Sequence, residues 1–129
     1  MSASRHPRVA TGVDLIERAR VLAAHARFGE RFLRRVFTPL EREQAGDRIE
    51  RLVGRFAAKE ACAKMLGTGI GAVSWQEIEI TRQPGGNPVL RLRGAAATRA
   101  AHQGLTDFDV SISDTATHTI AIVVGIGMA

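Results

Sequence analysis

Glu60 and Lys64 stand one helical turn apart in the stretch from Gly54 to Gly71, Gly-Arg-Phe-Ala-Ala-Lys-Glu-Ala-Cys-Ala-Lys-Met-Leu-Gly-Thr-Gly-Ile-Gly. On a helical wheel Val53, Ala57, Ala58, Ala61, Cys62, Met65 and Leu66 form one broad apolar arc, so the stretch reads as a helix with a buried face. Glu60 and Lys64 lie on the edge of that arc, in the row of Phe56. Such a pair can be a solvated surface contact stabilising the helix by about 0.2–0.5 kcal/mol. The lysine usage points elsewhere: the chain has 16 Arg but only two Lys, Lys59 and Lys64, both in this helix. A lysine is a compact point charge suited to phosphate oxygens or proton transfer, whereas arginine is a rigid fork. Gly67 is a natural stop for the helix. The Gly-rich turn Thr68-Gly69-Ile70-Gly71 is expected to offer backbone N–H groups to an anion beside Lys64, against the helix macrodipole.

The elements that must position these groups follow from pattern and punctuation. Arg8 to Asp14 is β-prone and reads as a first strand with Asp14 at its end, where the carboxylate either caps the next helix or ligates a metal. From Leu15 to about Phe28, Leu15, Ile16, Ala19, Leu22, Ala23 and Ala26 recur at helical spacing. Six Arg against two acids over residues 17–35 make this region lopsidedly basic and suited to an acidic surface. Thr38-Pro39-Leu40-Glu41 carries a capping box with Pro at the first helical position. Asp47 offers a second cap, with Glu50 three residues on, for the long helix running to Leu66. Beyond Gly71, Gln76, Ile78 and Ile80 alternate with Glu77, Glu79 and Thr81, and Pro84 to Pro88 makes the turn of a hairpin into Val89-Leu-Arg-Leu-Arg93. Ala95 to Gln103 reads as a helix stopped by Gly104. Phe108 to Asp114 alternates again, and Ile120 to Val124 reads as a buried strand. The pattern gives an α+β fold, an antiparallel sheet of roughly five strands packed against helices.

At 129 residues the chain makes one domain. Residues 1–8 read as a mobile N-terminal arm and 9–129 as the domain. No apolar run approaches the roughly 20 residues of a membrane helix, and the polar start is not a secretory signal. Cys62, the single cysteine, rules out an intrachain disulfide and a cysteine zinc site, and suits a reducing cytoplasm. A net charge of +5 calls for a polyanionic partner: nucleic acid, an acidic protein or a phosphorylated small molecule. Aromatic residues are few and do not alternate with basic ones as in base-stacking surfaces, and composition alone does not choose among these partners.

Arg55-Phe-Ala-Ala-Lys-Glu-Ala61 followed by Lys64-x-x-Gly-Thr-Gly-Ile-Gly71 resembles the signature of holo-[acyl-carrier-protein] synthases, the short class of 4′-phosphopantetheinyl transferases. Gly12-Val-Asp-Leu-Ile-Glu17, Phe37-Thr-x-x-Glu41 and Val110-Ser-Ile-Ser113 resemble the family's other segments, in the family's order. The resemblance spans residues 12 to about 124 and implies a 4′-phosphopantetheinyl transferase fold in a single unit. It also implies a reaction: phosphopantetheine passes from coenzyme A to a serine hydroxyl of apo-acyl carrier protein, releasing adenosine 3′,5′-bisphosphate, in support of fatty acid or polyketide synthesis. Asp14 and Glu60 would hold Mg²⁺, whose preference for hard oxygens and few protein ligands suits two carboxylates. Lys64 would neutralise the pyrophosphate, and proton removal from the serine would fall to Glu60 or to a metal-bound water. Arg55 would reach the 3′-phosphate, and Gly67, Thr68 and Gly69 would line the pantetheine side. Arg20 and Arg27 would meet the carrier protein.

Two departures fall on the nucleotide side. Asp114 stands where family members often have His, and Gly85-Gly-Asn-Pro88 stands for Asn-Gly-x-Pro. So short a chain has few residues to wall in coenzyme A, so a neighbouring copy is expected to supply a second wall. The resemblance implies a homo-trimer with sites at subunit boundaries, Arg48 and the Gly85–Pro88 turn of one chain lying beside Lys64 of another, and Ile120 to Val124 as contact material. Two rival readings are a non-enzymatic nucleic-acid-binding module, which leaves Asp14, Glu60 and the lysines without a role, and an inactive relative altered at Asp114.

Overall fold

The computed structural model describes residues 6–128. Its elements run β1 (Pro7–Glu17), α1 (Arg18–Phe28), α2 (Glu30–Val36), α3 (Pro39–Ala45), α4 (Ile49–Met65), a 3₁₀ turn (Trp75–Glu77), β2 (Ile78–Arg82), β3 (Pro88–Leu92), α5 (Gly94–His102), β4 (Leu105–Asp114) and β5 (His118–Met128). The α+β reading holds, but the five strands form two ladders: an antiparallel sheet in the order β1-β5-β4 and the separate hairpin β2-β3. Alternation identifies strands; which of them share a ladder depends on where the helices sit between them.

α4 is the spine. Ala57, Ala58, Ala61 and Cys62 are fully buried, and their small side chains let β1 and β5 approach the helix backbone. Gly12 marks the closest approach: a Cβ there would lie 1.9 Å from the Ala61 carbonyl oxygen and 2.7 Å from the Met65 nitrogen. Along β5, Thr119, Ala121 and Val123 point to α4 and are buried, while Ile120, Ile122 and Ile126 face outward together with Val9, Val13 and Leu15 of β1. The expected buried strand is therefore buried on one face only.

Three local boundaries differ from the pattern reading. β1 continues through Glu17, pairing Leu15 with Ile120 and Ile16 with Thr119, so α1 starts at Arg18 rather than Leu15. Leu15 is exposed and Ile16 buried, as strand alternation requires. On α1 the buried residue is Val21; Ala19, Leu22, Ala23 and Ala26, expected on the inner face, are exposed. The expected N-terminal arm also shortens, because Pro7 and Arg8 pair with Met128 and Gly127 in the sheet; Met1–Arg5 lie outside the described residues. At the start of α4 the N-cap is Arg48, not Asp47. Asp47 has a left-handed backbone (φ 57°) and gives its carboxylate to Arg42 instead.

The capping box of α3 forms as expected. Glu41 Oε1 accepts the Thr38 N–H at 2.8 Å and Thr38 Oγ1 accepts the Glu41 N–H at 3.2 Å. Its anchor goes deeper than a cap. Glu41 is fully buried, pairs with the equally buried Lys59 at 2.7 Å, and accepts the Ile80 N–H at 2.8 Å. Glu79, which alternates with Ile78 and Ile80 along β2, is also buried, because α3 covers that face of β2: Thr38 Oγ1 donates to it at 2.6 Å and Arg93 pairs with it at 3.1 Å.

Candidate active site

β1 brings Asp14 to α4. Even-numbered residues of β1 face the helix, and the contact at Gly12 sets how close the strand lies, so Asp14, two residues on, reaches the helix surface beside Glu60 and Lys64. Lys64 Nζ meets Asp14 Oδ1 at 2.8 Å and donates to the Val13 carbonyl at 3.2 Å. The Asp14 carboxylate is mostly buried and its Oδ2 has no hydrogen-bond partner. Asp14, Glu60 and Arg20 line one cleft of about 270 Å³, whose apolar wall is Val21, Phe32 and Phe56. Asp14 is thus a mid-strand residue and caps no helix: the N-cap of α1 is Glu17.

The cleft sets two acids, Asp14 and Glu60, beside Arg20, with Lys64 at its edge. Burial, and after it the Asp14 charge, raises the pKa of Glu60 above the usual carboxylate range, against the pull of Lys64 and Arg20. Lys64 is shifted up, chiefly by its hydrogen bond to Asp14. Two converging carboxylates, one with an idle buried oxygen and the other resisting ionisation, make a fitting receptor for a hard divalent cation. Among the described residues no group of three or more His, Cys, Asp or Glu is placed to hold a metal. A cation here would draw two protein ligands and complete its shell with water or substrate oxygens, the habit of Mg²⁺.

The Gly-rich turn behaves otherwise than expected. Gly67 takes a left-handed φ of 75°. Its N–H goes to the Lys64 carbonyl, and those of Thr68 and Gly69 go to the Ala63 carbonyl. This is a Schellman closure, in which the helix end consumes the N–H groups to satisfy its own carbonyls. The turn therefore presents no free amide nest at Gly67, Thr68 or Gly69, and an anion here would be met by side chains such as Lys64 rather than by these N–H groups.

Arg55, 140° around the helix from Glu60 at about 100° per residue, is nearly buried. It donates to the Glu41 carbonyl at 3.2 Å and leaves its Nε without a partner; burial is the first cause that lowers its pKa. Arg48, Arg55, Gly85, Pro88 and Asp114 do not line the carboxylate cleft of their own chain. Asp114 is held by Arg18 at 3.0 Å, and Arg18 also donates to Thr119 and to the Glu50 carbonyl. Asp114 and Arg48 therefore gather at the first turn of α4, the end opposite Lys64. The Arg18 partner of Asp114, invisible to motif matching, offsets the negative charge at that position. Lys59 is not a second cleft lysine: it is sealed inside, its pKa lowered by burial against the pull of Glu41. Burial pushes the Cys62 thiol up to about 12, so it supplies no nucleophile.

Arg27 lies exposed with its guanidinium 5.1 Å from the Phe28 ring centre. Phe28 belongs to an apolar cleft of about 360 Å³ with Phe32, Phe56 and Trp75, rimmed by Arg31 and Arg35. It adjoins the carboxylate cleft through the shared Ala24, Phe32 and Phe56. The sequence reading missed this cleft. The one available sign was Phe56 in the row of Glu60 and Lys64.

Comparison with known proteins places this geometry. The profile described as ACPS, 4′-phosphopantetheinyl transferase superfamily, matches residues 10–123. A holo-[acyl-carrier-protein] synthase of Herpetosiphon aurantiacus is 46% identical over 124 residues, covering 91% of this chain and 98% of the relative. Among solved structures, the Neisseria meningitidis holo-[acyl-carrier-protein] synthase superposes with a TM-score of 0.80 at 34% identity, covering 90% of this chain and 96% of that one. The Helicobacter pylori enzyme in complex with coenzyme A gives 0.80 at 33% identity, covering 89% and 98%. A match this long and at this identity makes the chain a member of the holo-[acyl-carrier-protein] synthase family within the 4′-phosphopantetheinyl transferase superfamily.

Proposed function

We propose that this protein transfers the 4′-phosphopantetheine group of coenzyme A to a serine hydroxyl of an apo-acyl carrier protein, leaving adenosine 3′,5′-bisphosphate. The observation that carries the reading is the meeting of Asp14, Glu60 and Lys64 in and beside one cleft, in a chain whose relatives carry that name. Phosphoryl transfer asks for positioning and charge neutralisation more than covalent help. Lys64, half exposed at the cleft edge, can leave Asp14 for a pyrophosphate oxygen and stabilise the charge gathering on the leaving phosphate. Glu60, its pKa raised by its setting, is poised to accept the serine proton. Asp14 and Glu60 would together hold Mg²⁺, which when bound supplies the positive charge that offsets the two carboxylates and the phosphates.

α1 is the proposed docking face for the carrier. Its Arg20 points into the carboxylate cleft and Arg27 flanks the apolar one, so an acidic protein bound along it would bring its serine to Glu60. The outward apolar face of β1 and β5, with Val9, Val13 and Leu15 half exposed or more and Ile122 exposed beside them, supports assembly through that sheet, since patches of this kind mark interaction surfaces. A closed three-fold ring would bring Arg48, Arg55, Asp114 and the Gly85–Pro88 turn of one copy to the Lys64 side of the next, giving the nucleotide its second wall. We place the reaction in the cytoplasm, in support of fatty acid or polyketide synthesis. Among the described residues no helix is long and apolar enough to cross a membrane.

Mass spectrometry tests the reaction: coenzyme A, Mg²⁺ and an apo-carrier protein should give a carrier heavier by one phosphopantetheine. Glu60→Gln should abolish the gain while the protein stays folded, because a neutral amide relieves the repulsion from Asp14. Binding of an oligonucleotide in moderate salt, with no mass gain on any carrier, would favour the nucleic-acid module instead. Light scattering tests the assembly; a mass near that of one chain, 13.9 kDa, at full activity would end the shared-site reading.

A further inference from the structure

The two lysines of α4 have different surroundings, and the reaction proposed above uses only Lys64. Lys59 is fully buried. Its ammonium pairs with Glu41 at 2.7 Å, donates to the Trp75 carbonyl at 2.9 Å and lies 5.6 Å from the centre of the Phe37 ring. A buried ion pair is no better for stability than a well-packed apolar substitute, so its presence calls for a task that an apolar side chain could not perform. Holding a specific backbone carbonyl is such a task.

That carbonyl belongs to the end of a chain of rings. Trp75 stacks on Phe56 at 4.8 Å between centroids, Phe56 stacks on Phe32 at 6.2 Å, and Phe32 meets Phe37 edge to face at 6.0 Å. Lys59 touches both ends, the ring of Phe37 and the backbone of Trp75. The sequence has five Phe and one Trp; these four and Phe28 line or back the apolar cleft beside the carboxylates, so the aromatic content is concentrated here. Trp75 itself sits in a three-residue 3₁₀ turn between the Gly-rich turn and β2, closed by the Ile78 N–H on the same carbonyl. The Ser74–Glu77 capping box and Gln76 on the Phe37 carbonyl hold the ends of this turn, and Lys59 is the side chain that bonds the Trp75 carbonyl itself.

We propose that Lys59 is a positioning residue for the protein acceptor: tethered to Glu41, it fixes Trp75 and with it the aromatic wall against which the acyl carrier protein docks. The Arg31 and Arg35 rim, with Arg27 over Phe28, fits an acidic partner with apolar side chains, and α1 closes the same cleft. In the transferase reading coenzyme A meets Lys64, outside this cleft, so the wall would act on the acceptor and not on the donor. The proposal rests on the transferase reading.

Trp75 is the only Trp and the chain has no Tyr, so intrinsic fluorescence reports on this wall alone. In Lys59→Met the tether is lost and Glu41 loses its counterion, at a cost in stability, while its carboxylate keeps the Thr38 and Ile80 N–H groups. The folded variant, checked by circular dichroism, should show red-shifted Trp75 emission and stronger quenching by acrylamide. Its KM for the apo-carrier should rise about tenfold, with kcat and the KM for coenzyme A within about twofold of wild type. Trp75→Ala should give the same carrier-selective rise, and it decides the matter where Lys59→Met does not fold. Unchanged emission in folded Lys59→Met, equal rises in both KM values, or an unchanged carrier KM in Trp75→Ala would each overturn the proposal. A wild-type protein that transfers nothing overturns the transferase reading instead, and the emission measurement, which needs no turnover, still tests the tether.

Discussion

Gly12→Ala is the sharpest perturbation of the arrangement that brings Asp14 to α4. The added Cβ would sit 1.9 Å from the Ala61 carbonyl oxygen, 2.7 Å from the Met65 nitrogen and 3.0 Å from the Ala61 carbonyl carbon. All three are helix backbone and cannot swing aside, so β1 must retreat by about 1 Å or more to reach tolerable contact. Overpacking of this kind costs about 1–3 kcal/mol. For a domain of this size that lowers Tm by about 4 °C per kcal/mol. The retreat carries Asp14 with it, stretching its 2.8 Å contact with Lys64 and parting it from Glu60. A displacement of about 1 Å at reacting groups can cost about 10²-fold in rate, so activity should fall much further than the folded fraction at an assay temperature well below Tm. Gly54→Ala is the control. In α4 its Cβ would meet side-chain atoms alone, Ile112 Cγ2 at 2.9 Å and Cδ1 at 3.7 Å, so a small shift of that side chain suffices, and alanine gains about 0.5–1 kcal/mol in a helix. That variant should keep activity and lie within about 1 kcal/mol of wild type. Thermal melts and mass-gain assays on both proteins suffice. A Gly12→Ala protein with wild-type Tm and rate would refute the claim that this contact sets the site.

Charge reversal at Arg20 and Arg27 should raise KM for the carrier and flatten its dependence on salt, since each removes a charge that steers an acidic partner; unchanged kinetics in both would return α1 to a solvated face. Glu77 accepts the backbone N–H groups of Ser74, at 2.7 Å, and of Ala95, and the Ser74 bond is the first cause that holds its pKa below the usual carboxylate range. A depressed acid stabilises the fold above its unfolded pKa and loses that contribution as pH falls through its folded value. Glu77→Gln should therefore melt below wild type at pH 7, and the gap should close as pH drops below about 4.5, the ordinary glutamate value. A gap that stays constant down to acid pH would show the bonds do not depend on the charge.

Much of this site was legible because its chemistry is local. Glu60 and Lys64 fall on one helix edge by spacing alone, Thr38 and Glu41 announce a helix start, and Gly67 announces an end. These are properties of a few consecutive residues, and the structure keeps all of them. The errors share a cause. Leu15 and Ile16 fit a helical wheel as well as a strand, and only the ladder with β5 out to His118 decides for the strand. The turn after α4 looked like an anion nest until the helix's own carbonyls claimed its N–H groups.

What the sequence determined, then, is the set of candidate site groups and the helix that carries two of them, since residue type, 3.6-residue periodicity and caps act over a single turn. The tertiary structure alone decided which distant groups join them. Asp14 reaches Lys64 across 50 positions because Gly12 and the alanines of α4 remove the side chains that would hold strand and helix apart. Glu79 and Lys59 are buried because α3 and the 3₁₀ turn supply partners for their charges. Asp114 acquires Arg18 from 96 positions away. Burial and pairing at such separations depend on how whole elements pack, and no window of neighbouring residues encodes that.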